Sequence, residues 1–533
     1  MDTKALRQKI LDLAIRGKLV PQDPNDEPAE VLLERIREQK QQMLKEGKLK
    51  KKDIKNDTII FKGEDNLHYE KFQDGTVKCI EDEIPFEVPE GWCWTRLGSF
   101  FLTVTGSTPS TKDASLYGTE YPFYKPTDLN AGYNVYCAED SVSKKGYLSG
   151  RPLPKFSVLV TCIGATIGKT GYISNAGICN QQINAILPNS EILPAYTYFC
   201  MCSQYEQQQI CINSSATTLP ILNKSKFDNL LFPIPPKEQQ SQIVDRIKSL
   251  LLFVENIQNN QETLKKTVAE AKSKILDLAI RGKLVPQDPN DEPASVLIER
   301  IRAEKEELIK QGKIKRNKKE SVIFKGDDNS YYEKIDGEVF CIDEEIPYDI
   351  PDTWTWMRLE NCCVKEIRRG KSPKYAEISN VIVFAQKCNT KYNGIDISLA
   401  QYLDETTLKR YPTDEYMQDG DVVINSTGTG TLGRVGVYRN TDNTTGFLIV
   451  PDSHVTVIRS FSCISSHYLY AFIKAHQTEL EKKGEGSTNQ KELKPLTLKE
   501  MLIAVPSLSE QKRINNSINV AFSHLTILEK CLN

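Results

Sequence analysis

Between Ile243 and Leu278, apolar side chains recur at alternating intervals of four and three residues. They are Ile243, Ile247, Leu250, Val254, Ile257, Leu264, Val268, Ala271, Ile275 and Leu278, with Gln261 at the one polar slot. That rhythm is a heptad seam and predicts a coiled-coil helix. Pro235 and Pro236 stand before it and Gly282 after its last turn, as helix ends prefer. A helix over 237–281 is roughly 65–70 Å long at 1.5 Å rise per residue. The same seam returns at Ile514, Ile518, Ala521, Leu525, Leu528 and Leu532, and a short piece of it, Leu6, Ile10 and Leu13, opens the chain.

The seam recurs because the chain is duplicated. Residues 9–29 and 274–294 both read KILDLAIRGKLVPQDPNDEPA. VLLERIRE (31–38) matches VLIERIRA (296–303), and CIEDEIPFEVPEGWCWTRL (79–97) matches CIDEEIPYDIPDTWTWMRL (341–359). Farther on, LVTCIGATIGKTGYI (159–173) resembles INSTGTGTLGRVGVY (424–438), and PPKEQQSQIVDRI (235–247) aligns with PSLSEQKRINNSI (506–518) at an offset of 271. Repetition on this scale sets the fold before any local feature does. At that offset Asn533 corresponds to position 262 of the central helix, and at an offset of 265 Met1 corresponds to position 266. The terminal helices therefore read as one central helix cut in two. Packing the intact helix antiparallel against the split one closes the chain into a ring-like, pseudo-twofold arrangement. A single extended helix or an intermolecular coil is the alternative.

Between the repeats, about 98–156 and 360–420 show no obvious kinship, so the frame is retained and the inserts have diverged. Both inserts read as mixed α/β modules. SVLVTCIG and DVVINSTG are β-branched runs closed by glycine and predict strands, and 194–210 and 465–482 predict helices. The expected fold is α+β, with two mixed modules separated by long antiparallel coiled-coil helices. The predicted divisions are a frame over 1–92, a first module over 93–235 and a central helix over 236–283. A second frame follows over 284–355, a second module over 356–506 and a C-terminal helix over 507–533.

Composition narrows the chemistry. The 533 residues are too many for one core, and 39% hydrophobic with 26% charged residues is ordinary for a globular protein. No apolar run of about 18 residues predicts a membrane span, and a charged, amphipathic start predicts a cytoplasmic protein. The 14 cysteines show no CxxC and no zinc spacing, so reduced thiols are expected. Net charge is −2, so any nucleic-acid surface must be local. No catalytic set, cofactor loop or metal-ligand spacing is visible. GATIGKT (164–170) has three residues between its glycines where a P-loop needs four. A strand-turn-strand rim is the better reading.

Polar residues near these turns suit base and phosphate contacts, because Arg and Lys grip phosphates or guanine edges while Asn and Gln pair with adenine. In the first insert they are Ser107, Thr108, Ser110, Thr111, Lys112, Lys125, Lys144, Lys145, Lys169, Gln181, Gln182 and Asn184. In the second they are Arg368, Arg369, Lys371, Lys374, Gln386, Lys387, Asn425, Arg434, Ser487, Thr488, Asn489 and Gln490. Two basic runs belong to the frame: Lys45, Lys48, Lys50, Lys51, Lys52, Lys55, and Lys310, Lys313, Lys315, Arg316, Lys318, Lys319. DNA backbone, an acidic partner and plain solvation all fit them.

PPKEQQSQI and PSLSEQKRI before heptad helices, IGATIGK and STGTGTLGR inside the inserts, and TTLPILNKSKFDNLLFPIPP (217–236) resemble type I restriction-modification specificity subunits. The resemblance covers essentially the whole chain. It implies that each insert is a target recognition domain reading one half of a bipartite double-stranded DNA site, with the helices as spacer. It also implies two methylation subunits using S-adenosylmethionine and ATP- and Mg-dependent restriction subunits as partners, with no active site or cofactor in this chain. About 80 residues precede the first insert and recur before the second, and their role is open. A DNA-independent adaptor scaffold, or a nuclease or nucleotide hydrolase, are the competing readings.

Overall fold

A computed structural model describes residues 2–215, 219–314, 316, 321–391, 394–428, 430–486 and 491–532. Contacts divide it into two units, 1–261 and 262–533, with the boundary inside the central helix Lys237–Ile280. The 237–281 expectation thus holds to one residue. Among the seam positions Ile243, Ile247, Val254 and Val268 are buried, whereas Leu264 is exposed. No helix of the described residues is long and apolar enough to cross a membrane.

The first unit contains β1 (Ile59–Lys62), β2 (His68–Lys71), β3 (Val77–Cys79), β4 (Cys93–Arg96), β5 (Thr103–Thr105) and β6 (Tyr117–Tyr124). It continues with β7 (Asp140–Val142), β8 (Val158–Thr161), β9 (Thr170–Tyr172), β10 (Ile178–Cys179), β11 (Ile183–Ile186) and β12 (Leu231–Ile234). The second unit contains β13 (Ser321–Lys325), β14 (Tyr331–Ile335), β15 (Glu338–Cys341), β16 (Thr355–Arg358), β17 (Arg368–Arg369) and β18 (Val381–Phe384). It continues with β19 (Gln401–Tyr402), β20 (Val422–Asn425), β21 (Val435–Val437), β22 (Leu448–Pro451), β23 (Val455–Ile458) and β24 (Leu502–Val505).

Each frame is a helix, Ala29–Lys45 or Ala294–Lys310, followed by an antiparallel meander, β1-β2-β3 or β13-β14-β15. The meander is fixed to the core by an arginine. Arg96 donates to Glu70 at 2.8 and 3.0 Å and to Glu83 at 2.7 Å; Arg358 donates to Glu333 at 2.5 Å and to Glu345 at 2.8 Å. This gives the repeated segments around 30–80 and 295–340 a structural role. The identical 21-residue block also packs internally. Gly17 (φ +63°) and Gly282 (φ +67°) end their helices in the left-handed region. A Cβ at either position would overlap the ring of Pro89 or Pro351.

The inserts, unlike in sequence, fold alike. Their antiparallel sheets are ordered β5-β11-β8-β9 and β17-β23-β20-β21. In the second sheets β10 pairs parallel and β7 antiparallel to β6, as β22 and β19 do to β18. Ribbons β4–β12 and β16–β24 close each insert, burying Trp94 and Trp356. Divergence of 98–156 from 360–420 therefore stops at the level of strand order. The helices predicted over 194–210 and 465–482 are each broken in two: Pro194–Met201 with Gln204–Asn213, and Ser466–Ala475 with Gln477–Lys482. The first break is made by Ser203, whose hydroxyl accepts from the Glu206 N–H and so caps a new helix.

The proline-glutamine segment at the start of each long helix is an internal anchor. Gln240 accepts from the Leu193 N–H at 2.6 Å and Gln511 from the Ser465 N–H at 2.7 Å, satisfying the residue that opens the insert helix. One position earlier, Gln239 accepts the Trp92 indole N–H at 3.0 Å, and Glu510 accepts that of Trp354 at 2.9 Å.

Candidate nucleic-acid interface

In each insert three segments meet at one rim: the end of the first sheet strand, the turn before the second, and the glycine-rich turn. In the first unit Ser107 N–H donates to Cys179 O at 2.8 Å, and Cys162 N–H to Gln182 O at 2.7 Å. In the second, Ser426 N–H donates to His454 O at 2.8 Å, as Cys162 does to Gln182. The approach is so close that a Cβ on Gly106 would overlap the Asn180 carbonyl, and one on Gly370 that of Pro451. Only glycine permits it. Both glycines open a short shared string, GSTPS (106–110) and GKSPK (370–374). That string was the available sign of kinship in the inserts, and it does not stand out without the fold.

The glycine-rich turns are strand-turn-strand rims. β8 pairs with β9, β20 with β21, and Lys169 donates to the Asn130 carboxamide at 2.7 Å. Ser107, Thr108, Gln181 and Gln182 lie on the rim itself. Thr108 donates to Gln181 at 2.6 Å. Ser110, Thr111, Lys112 and Lys144 are exposed near it or on the adjoining helix start, and Lys387 is exposed in the second unit.

Several candidates sit elsewhere. Asn184 (2% exposed) and Asn425 (0%) are interior strand residues. Asn184 accepts from Thr105 at 2.7 Å, and Asn425 donates to the Gln386 carbonyl at 3.1 Å, so both brace the rim from beneath. Most of the basic candidates are held by this chain's own acceptors. Lys125 pairs with Asp140, and Lys145 with Asp113 at 3.0 Å. Arg368 pairs with Glu415 at 2.5 Å and Arg369 with Glu492 at 2.6 Å. Lys371 donates to the Arg410 carbonyl, and Arg434 to the Asn389 carbonyl at 2.8 Å. Lys374 lies 2.7 Å from Asp404 and holds that carboxyl down at about 2. Ser487, Thr488, Asn489 and Gln490 lie outside the described residues, as do Lys315, Lys318 and Lys319 of the second basic run. The first run is exposed, with Lys48 paired to Glu46 at 2.7 Å.

Ser372, Ser453 and His454 occupy the same rim in the second unit and are not among the sequence candidates. Ser372 donates to Ser453 at 3.4 Å, and the His454 Nδ1 lies 2.7 Å from the Thr427 hydroxyl. Among the described residues, one trio with metal-ligating atoms within 4.8 Å of one another is His68, Glu81 and Glu87. His68 and Glu81 bond each other there at 2.8 Å. The second frame has Tyr331, Asp343 and Asp349 instead, so the trio is no common frame feature.

The family model described as Type I restriction modification DNA specificity domain matches residues 89–266 and again 351–532. The chain belongs to that family, the specificity subunits of type I restriction-modification systems. It is 27% identical to the Type I restriction enzyme EcoEI specificity subunit of Escherichia coli, across 97% of this chain and 89% of that protein. It is 29% identical to the EcoAI specificity subunit of Escherichia coli, across 67% of this chain and 62% of that protein. Its fold is similar to a chain from a solved structure on complex assembly and conformational transition of the type I R-M system. The TM-score is 0.54 with 18% identity, covering 84% of this chain and 94% of that one.

Proposed function

We propose that this specificity subunit selects a bipartite double-stranded DNA target, each insert reading one half while the central helix spaces the two. The observation that carries the reading is the rim built twice: one backbone arrangement, presenting Thr108, Gln181 and Gln182 in one unit and Ser372, Ser453 and His454 in the other. A shared scaffold with unlike side chains suits two unlike half-sites, so the target need not be palindromic. The frame, repeated with its 21-residue block identical and its arginine–glutamate anchor kept, suits two copies of one partner. We assign that place to two methylation subunits, with restriction subunits joining the assembly. Adenine methylation and DNA cleavage then fall to those partners, which hold S-adenosylmethionine, ATP and magnesium. This chain supplies selection and no catalysis, inside the cytoplasm.

Comparing the methylomes of a host with and without the gene tests the proposal. A gapped methylated motif present only with the gene is expected; no difference would sink it. Equal binding of specific and scrambled duplex by the reconstituted complex, across salt concentrations, would support the DNA-independent adaptor instead.

A further inference from the structure

Two turns share backbone bonds yet differ in the side chains at their second and third positions. The turn between β10 and β11 reads Asn180-Gln181-Gln182, and that between β22 and β23 reads Asp452-Ser453-His454. The first position is structural in both. Asn180 is 8% exposed and its Oδ1 accepts the Gln182 N–H at 3.1 Å; Asp452 is 3% exposed and its Oδ1 accepts the His454 N–H at 2.8 Å. Each is an Asx turn that fixes the next two residues. The second position is steadied by a hydroxyl from the segment just after the neighbouring strand, Thr108 on Gln181 and Ser372 on Ser453. The third passes its carbonyl to the glycine-rich turn in both units.

We propose that the second and third positions of this turn determine specificity: Gln181 and Gln182 set bases in one half of the target, and Ser453 and His454 set bases in the other. This rests on the DNA-reading function proposed above. The chemistry suits it. A carboxamide donates and accepts side by side, the pattern adenine presents, whereas an imidazole or a hydroxyl matches a different edge. Each neighbour leaves the reader bonding capacity: Thr108 uses Gln181 Oε1 and leaves its amide nitrogen, and the Ser453 hydroxyl, accepting from Ser372, keeps its own hydrogen to donate. Asn180 donates to Gln182 Oε1 at 2.9 Å, which leaves the Gln182 amide nitrogen, and Thr427 meets His454 Nδ1, which leaves Nε2. Side chains held this way lose little freedom on meeting a base. Those candidate arginines and lysines that are held by internal acceptors contribute less to the choice of base.

The test exchanges the turns in the full chain with its methylation subunits. Gln181→Ser with Gln182→His is expected to change one or two base pairs in one half of the methylated motif and none in the other. Ser453→Gln with His454→Gln is expected to do the same to the opposite half. In binding by the purified complex, Gln181→Ala with Gln182→Ala is expected to lower discrimination at those positions by about 5- to 150-fold, the range for one good base contact. An unchanged motif beside an intact wild-type motif overturns the assignment of the turn and leaves DNA reading standing. No motif from the wild type overturns DNA reading itself. If a variant methylates nothing, the same complex is tested on duplexes varied in the untouched half. Selection retained there supports the proposal; selection lost in both halves shows a structural role and overturns it.

Discussion

In the frame, Arg96 and Arg358 grip equivalent carboxylates at nearly equal distances, and the residues around them are retained from one copy to the other. In the inserts, β5 to β11 pair as β17 to β23 do, while 98–156 and 360–420 share little sequence. The difference lies in what each region needs from its side chains. A buried guanidinium demands carboxylates at set places, because an unpaired charge there is costly. A strand ladder is bonded through the backbone, so any residue that keeps inward positions apolar and tight turns glycine preserves it. The frame is therefore held to its sequence by internal chemistry, and the inserts are free to change their outward residues.

The most forceful way to break this contrast is to remove one arginine. Arg96→Ala strands Glu70, which is 3% exposed, and is expected to destabilise the first unit by about 3–5 kcal/mol. Arg358→Ala is expected to cost less, since that side chain is 16% exposed against 7% for Arg96. Hydrogen exchange resolved along the chain measures both, because each loss should be confined to its own unit. Equal and negligible effects would show that the frame is kept for some reason other than its core.

A second substitution sharpens the comparison between the units. Glu206 is 0% exposed, and neither carboxylate oxygen has a hydrogen-bond partner. Burial pushes its pKa well above the usual 4.5. The unfolded chain loses this proton as pH rises past that value, while the folded chain keeps it. Stability of the first unit therefore falls with pH from there upward. Glu206→Met is expected to remove that slope and to stabilise the first unit by about 1–3 kcal/mol at pH 4, the cost of a buried polar group without a partner, and by more at pH 8. Thermal unfolding at pH 4 and pH 8 checks it. A gain at pH 4 equal to that at pH 8 would contradict the titration argument.

How much of this was legible in the sequence follows the same division. The central helix was readable because its seam repeats for 36 residues, from Ile243 to Leu278, and periodicity accumulates with length. The insert sheets were not readable strand by strand. β10, β17 and β19 are two residues long, too short to show alternation. Nor was the fate of the basic candidates. Arg368 meets Glu415 and Lys374 meets Asp404 across stretches that only the folded chain brings together. Asn184 and Asn425 read as base contacts because they are polar beside glycine turns, yet their place in β11 and β20 turns them inward. Gln181 and Gln182 were named as candidates from the sequence, whereas Ser453 and His454, which occupy the equivalent turn, were not, since only the shared backbone bonds equate the two turns.

The smallest expected effect tests a position where the two copies use a neutral and an acidic acceptor for the same tryptophan. Gln239 and Glu510 each accept a buried tryptophan N–H, but only Glu510 can titrate. It is 1% exposed and burial raises its pKa, against the lowering pull of hydrogen bonds from Trp354 and Gln287. A carboxyl raised in the folded state contributes most below its unfolded pKa of 4.5, and that contribution is lost as pH climbs through the folded value. Glu510→Gln keeps an acceptor for the indole and removes the charge, making the second unit resemble the first. Its expected result is unchanged stability near pH 4 and a small gain in the second unit at pH 7, seen in the same exchange measurement. A loss at pH 7 would mean that the charged acceptor strengthens the Trp354 and Gln287 bonds by more than burial costs it, and the two copies would then be tuned differently by design of their cores.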